Sequence, residues 1–445
     1  PGGESGPILT SADDRAPLSF AQQRLWLLDQ LEPGNAAYNI PLAVRVTGGA
    51  LSPEALERTF AEVVRRHAVL RTTFAAEAGE PVQMIAPSET ARPEVRLLDL
   101  SDAPEEAREE WARELAREEA RHPFDLQNGP LLRLGLLRLA ERDHLLLVTF
   151  HHIVSDGWSM GVLLREIGAI YPAFLRGEPS PLPELPLQYA DFAHWQRGWL
   201  QAQVVESQLD FWKEKLAGAP ALLELPTDRP RPAVQTYRGA SAGVALPPTL
   251  SAAVRDLCRR EEVTPFMVFL AAWAAVLGWH AGQEDLLVGS PIAGRNRREI
   301  EDLIGFFVNT LVLRADVGRA EVFLDLLLQV REASLGAYAH QDLPFEKLVD
   351  EVHPERDLSR SPLVQVALAV NNAPVSRVDL PGLRIEPEAP PAEVAKFDLA
   401  FILAETADGC LAGSLQYAVD LYDATTAIRL TRQLAAFLDE LTADP

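Results

Sequence analysis

The chain has 445 residues, of which 47% are hydrophobic and 24% are charged, and its formal net charge is -23. A chain of this length exceeds one ordinary hydrophobic core, so we expect at least two compact lobes. The strong negative charge disfavours nonspecific attraction to nucleic acids and to anionic membranes, because the long-range electrostatic field has the wrong sign for both.

The first part of the chain mixes helical and strand patterns. Residues 1–17 are rich in Gly, Pro, Ser and Asp and are predicted to be a linker or arm. Ser52 and Pro53 provide an N-cap and a proline in the first helical turn. The predicted elements are helices over residues 20–31, 52–67 and 104–122, and strands over residues 40–46 and 131–139.

Three prolines within five residues, Pro179, Pro181 and Pro183, exclude both a helix and a central strand. We therefore predict an N-terminal lobe over residues 18–177 and a C-terminal lobe over residues 178–445. Strands and long helices in both lobes indicate an α/β or α+β fold. The elements predicted beyond the prolines are a long helix over 188–216, a helix opening at Thr264-Pro265, strands over 286–290, 307–314, 363–370, 397–404 and 411–418, with a hairpin turn at 407–409, and a closing helix over 424–441.

The sequence shows no pattern of a membrane anchor or a secretion signal. The longest apolar run, near Phe266 to Trp279, is too short to span a bilayer, and residues 1–4 lack the features of a signal peptide. Cys258 and Cys410 are the two cysteines, too few for a disulfide framework or a thiolate metal site. We expect a cytoplasmic protein with no bound metal.

A histidine pair at a strand end is the strongest functional signal. Residues 144–150 form a buried-strand pattern that runs directly into His151-His152-Ile153-Val154-Ser155-Asp156-Gly157, and an apolar helix follows. A glycine here lets the backbone turn sharply and approach a ligand, and a helix N-terminus supplies N–H groups that can stabilise an oxyanion. This combination is suited to acyl transfer.

The pair has two other interpretations. Adjacent histidines often only satisfy hydrogen bonds in a buried loop, and a metal site is disfavoured because neighbouring strand residues point to opposite faces. We assign the catalytic role to His152, while His151 holds the loop through hydrogen bonds. Asp156 is expected to bond to an arginine rather than to act as an acid.

The same segment resembles the active-site signature of nonribosomal peptide synthetase condensation domains, which is two histidines, three variable residues, aspartate and glycine. Six further motifs of that family recur in order, so the resemblance extends from Leu18 to about Leu441. These motifs occupy residues 19–26, 66–74, 189–195, 304–310, 340–346 and 356–363.

The resemblance implies a chloramphenicol-acetyltransferase-like fold, a V-shaped pseudo-dimer of two lobes with a central tunnel that reaches His152. It also implies a structural salt bridge between Asp156 and Arg295 that joins the catalytic loop to the other lobe. The residues that it places at the site are His151, His152, Asp156 and Gly157 as the catalytic motif, and Trp158, Ser159 and Asn309 as candidates for lining the tunnel.

By the same resemblance, the chain should form a peptide bond between a donor aminoacyl or peptidyl thioester and an acceptor aminoacyl thioester. Both substrates would arrive on the 4'-phosphopantetheine arms of upstream and downstream carrier domains, beside an adenylation domain. The domain itself would be a monomer without an intrinsic cofactor, and the Gly157 N–H is a candidate oxyanion donor. Residues 306–313 resemble the class that takes an L-configured donor and an L-configured acceptor.

Alternative functions within this superfamily are an epimerising domain, which shares the histidine motif, and a catalytically silent recruitment domain, which usually loses one histidine. Heterocyclising relatives carry aspartates in place of the histidines. The intact motif over residues 151–157 argues against the recruiting and the heterocyclising functions, and the epimerising class differs from this chain in its later motifs. A serine hydrolase has little support, because Gly289-Ser290-Pro291 lacks the glycine spacing of a nucleophile elbow.

Overall fold

The computed structural model describes residues 6–11, 13–90, 92–200, 202–352, 357–371, 380, 382–388, 394–406 and 408–443. The helices are, in chain order, α1 (Phe20–Leu31), α2 (Pro53–Arg66), α3 (Glu105–Arg121), α4 (Gly157–Leu175), α5 (Tyr189–Trp199), α6 (Ala202–Leu216), α7 (Pro248–Glu261), α8 (Pro265–Ala281), α9 (Phe323–Ala339), α10 (Phe345–Val352) and α11 (Ala424–Ala443). The strands are β1 (Arg15–Pro17), β2 (Asn39–Gly48), β3 (Thr72–Glu77), β4 (Glu80–Ile85), β5 (Val95–Asp99), β6 (Leu132–Ala140), β7 (Asp143–His151), β8 (Gly239–Ala245), β9 (Asp285–Ile292), β10 (Asn309–Asp316), β11 (Val366–Asn371), β12 (Leu383–Pro387), β13 (Leu399–Glu405) and β14 (Leu411–Ala418).

The chain folds into two compact units that are not contiguous in sequence. The first unit comprises residues 1–201, 295–308 and 373–392, and the second comprises residues 202–294, 309–372 and 393–445. The proline-rich segment after residue 177, predicted to separate two lobes, falls inside the first unit. There Arg66 Nη1 donates to the Pro183 carbonyl at 2.7 Å, and Leu187 is buried.

The first unit contains a five-stranded sheet in the order β12-β2-β7-β6-β5 and a three-stranded sheet in the order β1-β4-β3. Strand β7 is antiparallel to both of its neighbours, and the register places Asn39 opposite His151. Every residue of β7 from His144 to His151 is buried. This central position explains why the strand is apolar throughout instead of alternating, and it fixes the place where the histidine motif begins.

The second unit contains a six-stranded sheet in the order β10-β9-β11-β13-β14-β8. Strand β11 runs parallel to both β9 and β13, and the remaining pairs are antiparallel. Helix α8 is apolar on all sides and almost wholly buried, as expected of a helix in the centre of a core. Its residue Trp273 packs against Phe401 of β13.

None of the helices in the described part of the chain is by itself long and apolar enough to cross a bilayer. Helices α7 and α8 reach the required length and hydropathy only as a pair, and the chain bends by 105° between them.

The predicted mixed α/β class is confirmed, and most predicted elements occur within a few residues of their expected bounds. One prediction is wrong: the single helix over 188–216 is two helices, α5 and α6. Helix α5 ends after Gly198, a poor helix former, where the ψ of Leu200 is 58°, outside the helical range. Residues 15–17, predicted as part of an arm, form β1 against β4. Residues 1–5 and 12 of the predicted arm, Gln201 of the predicted helix over 188–216, Arg356 of a predicted motif and Ala407 of the predicted hairpin turn lie outside the described residues.

Candidate active site

The histidine pair spans the end of β7 and the turn that follows it. His151 is the last residue of β7, and His152 opens a 3-10 turn over His152–Val154. The buried His151 ring accepts a hydrogen bond at Nδ1 from the Ile153 N–H at 3.1 Å and packs edge-on against Phe124. His151 therefore holds the turn through its own ring, as an acceptor at Nδ1.

His152 is the member of the pair that reaches the surface. It is partly exposed, while His151 and residues 153–155 are buried. Its imidazole lies with its centroid 4.7 Å from the Phe306 ring centroid, at an interplanar angle of 66°. His152 is thus the more exposed imidazole of the pair.

Asp156 is the N-cap residue of helix α4 and is wholly buried. Its Oδ1 accepts the backbone N–H of Ser159 at 2.8 Å and the Ser159 hydroxyl at 2.7 Å, and its Oδ2 accepts the Phe307 N–H at 3.1 Å. Arg295 Nη2 lies 3.2 Å from Oδ1. Four donors therefore surround this carboxylate, and the arrangement stabilises the start of the helix.

The Arg295 side chain is also buried and holds the segment that follows it through hydrogen bonds. Its Nη1 donates to the carbonyls of Ile300 and Leu303, each at 2.7 Å, and its guanidinium lies 4.1 Å from the Phe307 ring centroid. Burial lowers the pKa of Arg295, and the Asp156 carboxylate opposes that shift. Both partners belong to the first unit, so this ion pair lies within one unit.

Gly157 is the first residue of α4 and is exposed. Its φ lies outside the positive range, so the turn itself does not require glycine. A Cβ built at Gly157 would meet no heavy atom within 4 Å. The position next to the Gly157 Cα is therefore open, and its backbone N–H belongs to a helix N-terminus, where such groups lack an intrahelical acceptor.

Two of the three predicted tunnel residues make structural bonds in the first unit. The Trp158 indole Nε1 donates to the Glu301 carbonyl at 2.9 Å. The Ser159 hydroxyl is fully buried, donates to Asp156 and contacts both backbone groups of Gly305, at 3.0 and 3.1 Å. Ser159 is thus part of the support of the helix start.

The third predicted tunnel residue, Asn309, lies at the start of β10 in the second unit. Its amide Nδ2 donates to the carbonyls of Gln341 and Leu343, each at 2.8 Å, and its Oδ1 accepts the Phe345 N–H at 3.0 Å. The side chain ties β10 to the segment before α10. A place for Asn309 in a tunnel stays a prediction.

The sequence did not predict the contacts that residues 304–307 make with distant residues of the first unit. The Ile304 N–H donates to His67 Nδ1 at 3.2 Å, and the Phe306 carbonyl accepts the Tyr189 hydroxyl at 2.5 Å. A Cβ on Gly305 would lie 2.1 Å from a ring carbon of Tyr189, so this position requires glycine. The aromatic and glycine content of 304–307 was the available signal, but its hydrogen bonds to distant residues were not visible in the sequence.

Sequence reasoning also missed a buried charge cluster on α4. Glu166 Oε1 accepts from Arg66 Nε and Nη2 at 3.1 and 3.0 Å, and Glu166 Oε2 lies 3.1 Å from His67 Nε2. Burial alone would raise the pKa of Glu166, but His67 and Arg66 outweigh it and hold the pKa below its usual range. A lone acid on the buried face of an apolar helix was the signal that could have revealed this cluster.

No group of three or more His, Cys, Asp or Glu side chains among the described residues is arranged to hold a metal ion. The buried Cys258 has its pKa raised by burial to about 11, so its thiol is protonated at neutral pH.

Comparison with known proteins decides the family. The family model described as "Condensation domain" matches residues 12–445. This chain belongs to the condensation-domain family. Among curated relatives, a linear gramicidin synthase of Brevibacillus parabrevis is 48% identical over 439 residues, which are 98% of this chain and 9% of that protein. Phosphinothricin tripeptide synthetase PhsC of Streptomyces viridochromogenes is 45% identical over 97% of this chain and 40% of that protein.

This condensation domain therefore spans less than half of the length of either relative. Among solved structures, the X-domain from teicoplanin biosynthesis is similar with a TM-score of 0.89 and 30% identity, over 99% of this chain and 98% of that one. The first condensation domain of the calcium-dependent antibiotic synthetase is similar with a TM-score of 0.76 and 24% identity, over 97% and 98% of the two chains. The chain thus has the fold of condensation domains, the chloramphenicol-acetyltransferase-like fold that the sequence predicted.

Proposed function

We propose that this condensation domain forms a peptide bond between a donor aminoacyl or peptidyl thioester and the amine of an acceptor aminoacyl thioester. Both substrates would be carried on the phosphopantetheine arms of separate carrier domains, with an adenylation domain as a further neighbour in the same synthetase. The relative named as a phosphinothricin tripeptide synthetase supports this assignment, because a tripeptide is built from amino acids joined through amide bonds.

The accessibility of His152 is the observation that carries the proposal. His151 and Asp156 of the same motif are buried and engaged in bonds that hold the turn and the helix. His152 remains as the one partly exposed imidazole of the motif. A partly exposed imidazole just before a helix start suits a proton-transfer step.

The reaction needs one proton to move and no external energy. The acceptor amine attacks the donor thioester carbonyl, the new C–N bond forms, and the C–S bond then breaks to release the donor arm as a thiol. His152 accepts the proton that the amine loses, or orients the amine and stabilises the charged intermediate, and the thiolate is protonated on leaving. The N–H of Gly157, the first residue of α4, is the candidate donor to the carbonyl oxygen.

Single-turnover assays with chemically acylated carriers test the proposal. We expect His152→Ala to slow amide formation by at least about 100-fold, the usual contribution of a proton-transfer group, while the melting temperature stays near that of the wild type. His122→Ala, which removes an exposed histidine at the end of α3, should keep full activity. If His152→Ala retains most of the single-turnover rate, His152 is not part of the mechanism.

The same assay resolves the substrate class. Donor carriers loaded with L-configured and D-configured aminoacyl groups should be compared, and we expect a preference for the L-configured donor with an L-configured acceptor. A preference for the D-configured donor would overturn the subtype. Epimerised donor without amide product would instead indicate the epimerising function.

A second candidate function is a recruitment domain that docks a partner enzyme. The similarity to a teicoplanin X-domain, solved in complex with OxyB, is the observation that favours it. The complete motif from His151 to Gly157 favours catalysis. Amide formation by the wild type that depends on His152 would exclude a purely recruiting role.

A further inference from the structure

The 304–307 segment brings an aromatic side chain onto the imidazole of His152. We propose that Phe306 is a positioning residue, whose ring fixes the orientation of the His152 imidazole. This inference rests on the proposed function, in which His152 is the catalytic imidazole.

The geometry of the two rings supports this role. Their centroids are 4.7 Å apart at an interplanar angle of 66°, a T-shaped contact within the favourable range for aromatic pairs. Both residues are only partly buried. The terminal torsion of a histidine is broad and roughly two-fold, so a ring packed against the imidazole of a partly exposed histidine helps to select one orientation.

The backbone of Phe306 is itself held on both sides. Its carbonyl accepts the buried Tyr189 hydroxyl, and the neighbouring Gly305 N–H donates to the Ser159 hydroxyl. On the other side, the Phe307 N–H donates to Asp156. Ser159 and Asp156 belong to the start of α4, so Phe306 is anchored to the helix that directly follows the histidine turn.

This anchoring has a consequence for catalysis. A proton-transfer group must lie within about 3 Å of the atom it serves, and a misplacement of about 1 Å can slow a reaction by about 100-fold. Asp156 and Arg295 hold the backbone of the helix start and of the segment around Phe306. Phe306 adds a contact to the imidazole ring itself, so the Asp156 cluster acts on the His152 ring through Phe306.

Substitution of Phe306 tests the inference with the full chain. Phe306→Leu removes the ring and keeps much of the volume, Phe306→Met does the same with a flexible side chain, and Phe306→Tyr keeps the ring. Phe323→Leu is the matched control, because Phe323 forms a T-shaped pair with Phe437 in the second unit. Thermal melting identifies any variant that fails to fold, and the other ring-free variant then replaces it.

The first readout is the nuclear magnetic resonance signal of the His152 ring in histidine-labelled protein, assigned by its loss in His152→Ala. We expect Phe306→Leu and Phe306→Met to move this signal and to change its pH titration midpoint, and Phe306→Tyr and Phe323→Leu to leave both near the wild type. A His152 signal and titration unchanged in both Phe306→Leu and Phe306→Met would overturn the inference.

The second readout is the single-turnover rate. We expect a loss of about 10-fold to 100-fold for Phe306→Leu, restored in Phe306→Tyr, without a matching loss for Phe323→Leu. A rate for Phe306→Leu equal to that of the wild type would overturn the positioning role. The nuclear magnetic resonance arm needs no substrate, so failure of this inference and failure of the proposed function, seen as activity in His152→Ala, are distinguishable.

Discussion

The two units contain the same strand-turn-helix arrangement with different chemistry. In the first unit the hairpin β6-β7 ends at His151, Asp156 is the fifth residue after it, and α4 follows immediately. In the second unit the hairpin β13-β14 ends at Ala418, Asp423 is the fifth residue after it, and α11 follows immediately. The backbone pattern alone therefore does not make a site.

The side chains of the two turns differ at the positions that matter. His151 and His152 of the first unit correspond in spacing to Ala418 and Val419 of the second, which have no titratable group. Gly157 corresponds to Ala424. The first unit thus has two imidazoles at positions where the second unit has two apolar side chains, so the two arrangements share their spacing along the chain and differ in their side chains.

The charged residues of the two arrangements differ in burial. Asp156 pairs with Arg295, and both side chains are at most 1% exposed, whereas Asp423 pairs with Arg229, and both side chains are about half exposed, at 51% and 47%. A buried ion pair that loses one partner leaves an uncompensated charge, while an exposed pair is screened by water. Burial should therefore decide how much each aspartate stabilises its unit.

Asp156 should give the largest effect. We expect Asp156→Ala to lower the free energy of unfolding by about 3–5 kcal/mol, because it leaves the buried Arg295 without its counter-charge. Asp156→Asn should also lower the melting temperature, and amide formation should be lost as the turn becomes disordered. The measurement is chemical denaturation together with the single-turnover assay. Lost activity at an unchanged melting temperature would show instead that Asp156 takes part directly in the chemistry.

The sequence was sufficient for the elements that depend on local patterns. The start of α2 at Ser52 and Pro53, the buried strand β7 and the presence of a helix after the histidine motif follow from caps and hydrophobic runs, and the structure contains each of them. That helix was expected to start near Met160 and starts at Gly157. The Asp156–Arg295 contact came from the family resemblance, since no local rule links residues 139 positions apart.

The contacts of residues 304–307 could not be predicted from the sequence, because they depend on which distant segments of the chain come together in the fold. Residues 295–308, which include the 304–307 segment, belong to the first unit, although the chain on both sides of them belongs to the second. Its bonds to His67, Ser159 and Tyr189 join residues more than 100 positions apart. The break between α5 and α6 was missed for a local reason, since the apolar and aromatic pattern continues past the change of backbone angle at Leu200.

Substitution of Glu166 should give the second-largest loss of stability. It extends the comparison of the two units to positions further along α4 and α11. It is the tenth residue of α4 and contacts His67, while Gln433, the tenth residue of α11, bonds to His280 with 2.8 Å between Oε1 and Nε2. Glu166→Gln therefore gives the first unit the side chain of the second. Loss of the charged bonds to Arg66 should cost about 1.5–3 kcal/mol at neutral pH.

The effect of Glu166→Gln should depend on pH in a defined direction. Because the pKa of Glu166 is lowered in the folded protein, its stabilisation is present above the unfolded value of about 4.3 and is lost as the pH falls through the lower folded value. The gap in melting temperature between the wild type and Glu166→Gln should thus be widest near neutral pH and should narrow below about pH 4. A gap that is constant down to about pH 3 would mean that packing, not charge, explains the effect.

Asp423 should give the smallest effect, and it isolates burial as the cause of the difference between the units. Asp423→Ala removes an exposed partner, and Arg229 keeps a hydrogen bond from its Nη1 to the Val419 carbonyl at 2.9 Å. We therefore expect a cost of at most about 1 kcal/mol in chemical denaturation, with unchanged amide formation. The two aspartates share their spacing from a strand end and from a helix start, so an equal cost for Asp423→Ala and Asp156→Ala would contradict burial as the deciding difference. If Asp423→Ala costs little and Asp156→Ala costs much, the burial of the Asp156–Arg295 pair explains why Asp156 stabilises its unit more than Asp423 does.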